Sequence, residues 1–439
     1  MFQTIKNAWN VPELRKKILF TLLILLLYRL GANIPVPYVS ADVLNSFNQY
    51  TAGSIFQFMN ILSGDAFGKA TLFALSVSPY ITASIVIQLL TVAIPALERM
   101  AKDEDGKKKI AGITRIVTVA LALITAYGYA MYLRSYNMLA FDSSDSAKVF
   151  KYAVIIACFC AGASLIMWLA EKINEFGIGN GISIILFANI IARLPALCNS
   201  LFGMMFDDGK FKWTGLILVI VSLSITLAAV LLVVWFTNSE RRIPVQYAKR
   251  VVGRKMYGGQ SSNLPLKLNM TGVMPIIFAN SIVAIPATIA TFFPNTKWLQ
   301  WITNNFNYYT WPYLLVFLAL IIAFSYFYTL ISFNPVEVAN NIRDNGGAIP
   351  GIRPGKTTAQ YIQKILSRIT LIGGVFLCVI AGAPMVITIV DYAIHDGSLT
   401  FAGLAFGGSS LLIVVGVALE TVHELEAQLT MRNYKGFLD

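Results

Sequence analysis

The sequence predicts an all-α polytopic membrane protein of ten transmembrane helices, arranged as two inverted five-helix halves. Three observations carry this. Of the 439 residues, 56% are hydrophobic and only 13% are charged, with a mean hydropathy of +0.66, whereas a soluble domain carries about 25% charged residues. Apolar runs close to the roughly 20 residues that cross a bilayer recur along the whole chain. The net charge of +12 gathers in alternate loops, the bias that sets the orientation of membrane helices. A soluble chain this basic would suggest nucleic acid; here the cations act first through topology.

Taken in order, spans are expected at 18–34, 71–92, 112–134, 152–171, 182–200, 214–236, 272–293, 312–333, 366–388 and 400–425. The first run, Ile18 to Leu30, has no small-residue cleavage site and is read as a retained helix. Before the second span lies a shorter apolar stretch, Ile55 to Leu62, with Ile55, Phe56, Phe58, Met59, Ile61 and Leu62. It is too short to cross a bilayer, and Ser63, Gly64, Asp65, Gly68 and Lys69 break it. Two readings stay open for it: a re-entrant segment buried in protein or lining a wet cavity, or an amphipathic helix on the outer lipid surface. The fifth span contains Arg193 and Pro195, and Arg193 is expected to snorkel to the outer surface. Other ionisable groups in or beside the spans (Arg29, Glu171, Asp391, Glu420, His423) fall near span ends.

Most cations fall in the N-terminus, the 93–115 loop, the 237–271 loop, the 334–365 loop and the tail. The positive-inside bias puts both termini in the cytoplasm. The short polar loop Phe206-Asp-Asp-Gly-Lys210 divides the chain into 1–205 and 206–439. Five spans per half make the second half enter from the opposite face, the arithmetic of an inverted repeat. The 237–271 and 334–365 loops are long for a helix bundle and mix cations with turn residues, as in Asn345-Gly-Gly-Ala-Ile-Pro-Gly-Ile-Arg-Pro-Gly355. Charge alone fits membrane anchoring. The Pro/Gly-structured length favours a docking surface for an anionic cytoplasmic partner, and ribosomal RNA or an acidic patch on a motor protein both qualify.

Catalytic chemistry has no visible constellation. His395 and His423 have no neighbouring nucleophile, paired carboxylate or zinc spacing. Gly177-Ile-Gly-Asn-Gly181 lacks the strand and the Lys-Ser/Thr of a phosphate loop and is read as a tight turn between spans. Cys158, Cys160, Cys198 and Cys378 are scattered in apolar segments and read as membrane-packed thiols. No cofactor is implied. A secondary transporter would need a mid-membrane carboxylate, and none is present in the expected spans.

Several segments together resemble the SecY family, the central subunits of the bacterial protein-conducting channel. They include Ser78-Pro-Tyr-Ile-Thr-Ala-Ser-Ile-Val-Ile-Gln-Leu-Leu90, Gly177-Ile-Gly-Asn-Gly-Ile-Ser-Ile184, Gln246-Tyr-Ala-Lys-Arg250 and Phe333-Asn-Pro-Val-Glu337. The most specific is Ile349-Pro-Gly-Ile-Arg-Pro-Gly-Lys356, followed by Ser409-Ser-Leu-Leu-Ile-Val-Val415 and Tyr434-Lys-Gly-Phe437.

The resemblance implies a clamshell of two halves around an hourglass pore, in the bacterial cytoplasmic membrane. It implies a plug at about 55–65, and a pore ring of Ile81, Ile85, Ile182, Leu186, Ile277 and Ile413. It further implies a lateral gate of the second and third spans against the seventh and eighth, with Asn280 and Ser281 on the seventh helix. Arg250, Arg254, Arg353 and Lys356 would meet the SecA motor or the ribosome. Expected partners are the SecE and SecG subunits, SecA, the ribosome, signal-bearing polypeptides and membrane lipids. No fuel motif lies in the chain, so such a channel would be passive and driven by its partners.

Overall fold

The computed structural model describes residues 2–40, 60, 63–135, 138–140, 147–207, 210–211, 213–247, 250–252, 255–257, 261–292, 306, 310–395 and 408–435. A helix overlaps each of the ten expected spans. In the N-terminal part these are α1 (Phe2–Asn10), α2 (Pro12–Gly31), α3 (Ser78–Ala93), α4 (Pro95–Lys102), α5 (Glu104–Ser135), α6 (Lys148–Phe176), α7 (Gly181–Ile191) and α8 (Leu194–Met205). A two-residue hairpin, β1 (Phe206–Asp207) with β2 (Lys210–Phe211), leads to α9 (Trp213–Thr237). Strands β3 (Glu240–Tyr247), β4 (Arg250–Val252), β5 (Lys255–Tyr257) and β6 (Ser261–Lys267) follow. The chain continues through α10 (Met274–Phe292), α11 (Trp311–Ser332), α12 (Pro335–Asp344), β7 (Gly347–Ala348), α13 (Lys356–His395) and α14 (Gly408–Lys435). Six of the described helices are long and apolar enough to cross a membrane, seven if α3 and α4 count as one bent span.

Prolines set many boundaries. The second span begins at Ser78, not at 71, because Pro79 occupies the first turn, where its missing N–H costs no hydrogen bond. Residues 63–77 before it are turns, tied by a bridge between Pro35 and Thr71. Pro95 ends α3 at Ala93, and the chain turns 104° into the charged α4. The fifth span breaks at Ala192 and Arg193, with Pro195 in the first turn of α8. The glycine-rich segment before α7 is the expected tight turn. Gly179 has φ +76°, and the Asn180 side chain caps α7 by accepting from the Ile182 and Ser183 N–H groups.

The expectation of wholly helical structure needs one addition. The two long loops form a three-stranded antiparallel sheet in the order β6-β3-β7, with Ile243 opposite Leu264 and Gln246 opposite Ala348. Ile243, Val245, Leu266, Ile342, Ile349, Ile362 and Ile369 bury a small core beneath it. The alternation Ile243-x-Val245 and Leu264-x-Leu266-x-Leu268 is the period-2 signal that foretells strands with one buried face.

Candidate functional site

The expected ring residues come from four helices. Ile81 and Ile85 lie one turn apart on α3, and Ile182 and Leu186 one turn apart on α7, so each pair shares a helix face. Ile277 stands near the start of α10 and Ile413 near the start of α14. Ile81, Ile85, Leu186, Ile277 and Ile413 are all buried in one apolar cluster, and the half-buried Ile182 packs against it. Helix α7 is seated by close packing of its first residue against α6. A Cβ on Gly181 would stand 2.0 Å from the Ala170 carbonyl oxygen, so only glycine fits there.

Around that cluster runs a seam. Helix α10 packs against both α3 and α5, and α11 packs against α10 and α13. The Tyr328 hydroxyl of α11 donates to Gln88 Oε1 of α3 across 2.7 Å. Phe278 of α10 lies over Tyr328 at a ring separation of 4.9 Å. Gln88 sits one turn beyond Ile85 on the same face of α3. Sequence reasoning passed over this pair, because nothing in either segment marks two residues 240 positions apart as partners.

The two seam residues expected on the seventh span differ in environment. Ser281 is half-buried, and its hydroxyl donates to the Ile277 carbonyl at 2.9 Å. Asn280 is buried, and neither its amide nitrogen nor its oxygen has a hydrogen-bond partner among the described residues.

Of the expected plug residues, Ile55, Phe56, Phe58, Met59, Ile61 and Leu62 lie outside the described residues. The polar break after them is described and is densely bonded. Asn60 Oδ1 accepts from the Gly68 N–H at 2.7 Å, and the Tyr129 hydroxyl of α5 donates to the Phe67 carbonyl. Arg193, expected to snorkel, instead pairs with Asp65 at 3.2 Å. A carboxylate within reach offers a guanidinium a better partner than a stretch toward the interface.

Of the expected docking residues, Arg353 and Lys356 are exposed, on and just beyond the turn linking β7 to α13. The Thr357 and Thr358 hydroxyls both donate to the Arg353 carbonyl, and Ile349 and Ile352 fasten the same turn to the sheet core. Arg250 lies on β4, paired with Tyr257 of β5, and Arg254 lies outside the described residues. The sheet therefore brings the two basic loops, separate in sequence, onto one platform. Among the described residues no group of His, Cys, Asp and Glu could hold a metal ion.

A buried apolar cluster that takes in the six expected ring residues, a helix seam beside it and a basic sheet platform define a polytopic helical membrane protein. Comparison with known proteins places it further. The SecY family model matches residues 71–422. The chain is 42% identical to the protein translocase subunit SecY of Streptomyces coelicolor, over 100% of each chain. A solved structure of a protein conducting channel superposes with a TM-score of 0.62 at 17% identity, covering 96% of each chain. A second shares the fold with a TM-score of 0.58 at 17% identity and the same coverage; it concerns a SecY protein whose plug domain stabilises the closed translocation channel and maintains a membrane seal. The chain belongs to the SecY family.

Proposed function

We propose that this protein is a passive protein-conducting channel of the cytoplasmic membrane. It passes unfolded secretory polypeptides through the ring of Ile81, Ile85, Ile182, Leu186, Ile277 and Ile413. It releases apolar segments sideways between the second and third spans and the seventh and eighth. Residues 1–205 and 206–439 act as the two halves of a clamshell, both termini are cytoplasmic, and the segment at about 55–65 plugs the resting pore. SecE and SecG complete the channel, and SecA or the ribosome, docking at Arg250, Arg254, Arg353 and Lys356, supplies the drive.

The observation that supports this reading is that the six ring residues, contributed by four helices, all fall in or against one apolar cluster. An apolar constriction resists ions by dewetting and lets a polypeptide slide without binding it. A signal segment entering lipid gains about 0.8 kcal/mol per buried CH₂, so a seam that parts sideways is sufficient to sort it. The chain itself needs no chemistry for either step.

The test is crosslinking of a stalled secretory chain to single cysteines placed at Ile85, Ile182, Ile277 and Ile413, with Cys158, Cys160, Cys198 and Cys378 replaced. Adducts at all four sites, with few at lipid-facing controls such as Ile116 and Leu227 (both highly exposed), are expected. Adducts at the controls alone would sink the ring assignment.

A further inference from the structure

The chain leaves the sheet platform through a short linker, residues 268–273, that joins β6 to α10. The linker is seated closely at both ends. The Leu268 N–H donates to the Ser239 carbonyl, just beyond α9, at 2.9 Å. The Leu268 carbonyl presses on α13, where a Cβ added to Gly373 would stand 2.8 Å from it. Val273, at the other end, lies against Gly416 of α14, where an added Cβ would meet its Cγ1 at 2.4 Å. Ile277 follows about one turn later on α10.

Between these two seats the linker borders a small polar cavity. Its wall takes in residues 268–271, Ser325 and Thr329 of α11, and Thr370 and Gly374 of α13. Its volume, about 10 Å³, suits a single water molecule. Ser325, Thr329 and Thr370 are buried, and each hydroxyl hydrogen is committed within its own helix. Ser325 donates to the Ile321 carbonyl at 2.8 Å, Thr329 to the Ser325 carbonyl at 2.8 Å, and Thr370 to the Leu366 carbonyl at 2.9 Å. Asn269 Oδ1 is buried and has no hydrogen-bond partner among the described residues. These side-chain oxygens offer lone pairs, so the cavity suits a molecule that donates hydrogens. No lining residue is charged. A cation would lose its hydration there with no counter-charge, at far greater cost than a neutral molecule.

We propose that this cavity is a binding site for one ordered water molecule, which donates one hydrogen to Asn269 Oδ1 and the other to a hydroxyl oxygen of α11 or α13. The bridge pins the linker to the α11–α13 pair where the platform leads into α10. A push on the platform then moves α10, and Ile277 with it, rather than flexing the linker. Asn269 and Thr370 are positioning residues here and touch no substrate. The site stands on the cavity and its oxygens, and its coupling role rests on the docking reading of the platform.

The test uses the full channel complex in lipid and reads the site and its role separately. For the site, a density map fine enough to show ordered waters is recorded in sodium and again in rubidium. One peak within hydrogen-bond reach of Asn269 Oδ1, the same in both salts, is expected. A cavity with no peak overturns the proposal. A peak that changes between the salts means a monovalent cation, and overturns it as well.

For the role, channel opening in vesicles is measured with a signal peptide alone and again with ribosomes or motor added. Asn269→Leu fills the cavity with apolar atoms, and Thr370→Val removes one hydroxyl while keeping the shape. Each should cut the partner's stimulation of opening about fivefold, the factor that one hydrogen bond supplies. Opening by signal peptide alone and affinity for the partner should stay near native. Full stimulation in both variants would overturn the coupling. An equal loss with signal peptide alone would mean that the substitutions act on the fold at large, and the coupling would fall too. A native channel that neither partner stimulates would sink the docking reading instead and leave the water site standing on its peak.

Discussion

Asn280 places an amide with no partner among the described residues in the buried face of α10. Leaving a buried polar group unsatisfied costs about 1–3 kcal/mol, and a parted seam that admits water or substrate would relieve that cost. If this seam is the proposed lateral gate, the amide would bias it toward opening. Asn280→Leu should shift the balance to the closed form and reduce transport of a reporter with a weakly apolar signal about tenfold, corresponding to about 1.4 kcal/mol. A strongly apolar signal should be transported nearly as before, because its own transfer into lipid covers the difference. Initial transport rates of the two reporters in vesicles decide it, and an equal loss for both would point to a folding defect. Residues of this kind were only partly legible beforehand. The ring isoleucines look like every other isoleucine in a membrane helix, and only the family resemblance singled them out. Asp65 and Arg193 were visible as charges, but their pairing depends on a turn and a helix break that bring distant segments together.

At the scale of elements, the helices were legible because apolar length and charge exclusion are strong signals in a membrane chain. Their breaks were less so. Pro79, Pro95 and Pro195 mark three of them, yet window hydropathy averages over such points and extended the second span back to residue 71. The sheet was not legible because Pro244 and Pro265 interrupt the alternation of Ile243, Val245, Leu264 and Leu266, and proline argues against a central strand. The contact between α3 and α11 carries a prediction of its own. The hydrogen bond from Tyr328 to Gln88 crosses the seam and must break if these helices separate. Tyr328→Phe removes the hydroxyl and keeps the ring against Phe278. A bond of this kind contributes about 1 kcal/mol, so channel opening should become roughly fivefold more frequent. Single-channel recording with a signal peptide present measures this directly. Gln88→Leu should have the same sign, and an unchanged opening frequency in both would remove the bond from the gate.

For the whole molecule, the charge of +12 finds its place only in three dimensions. The sheet joins two loops that the sequence separates by about a hundred positions, and it holds Arg353 on a turn fixed from both sides. Its carbonyl is bonded by Thr357 and Thr358, and Ile349 and Ile352 are packed below. Cations used only for orientation would need no such support, since positive-inside bias acts equally well from a mobile loop. A rigid display suits recognition, because little side-chain and loop freedom is then lost on binding. If Arg353 meets an anionic partner, Arg353→Glu should weaken binding of ribosomes or motor to channel vesicles roughly tenfold near 0.1 M salt, where the screening length is about 10 Å. Insertion and folding should be unaffected, since the side chain is exposed. Raising the salt should weaken the native complex more than the variant, so the two affinities converge, as expected when counterions replace a lost contact. Equilibrium binding at two salt concentrations provides the check. An affinity gap that persists unchanged at high salt would mean that the substitution acts by deforming the turn, and the platform would then owe its rigidity to the fold rather than to a partner.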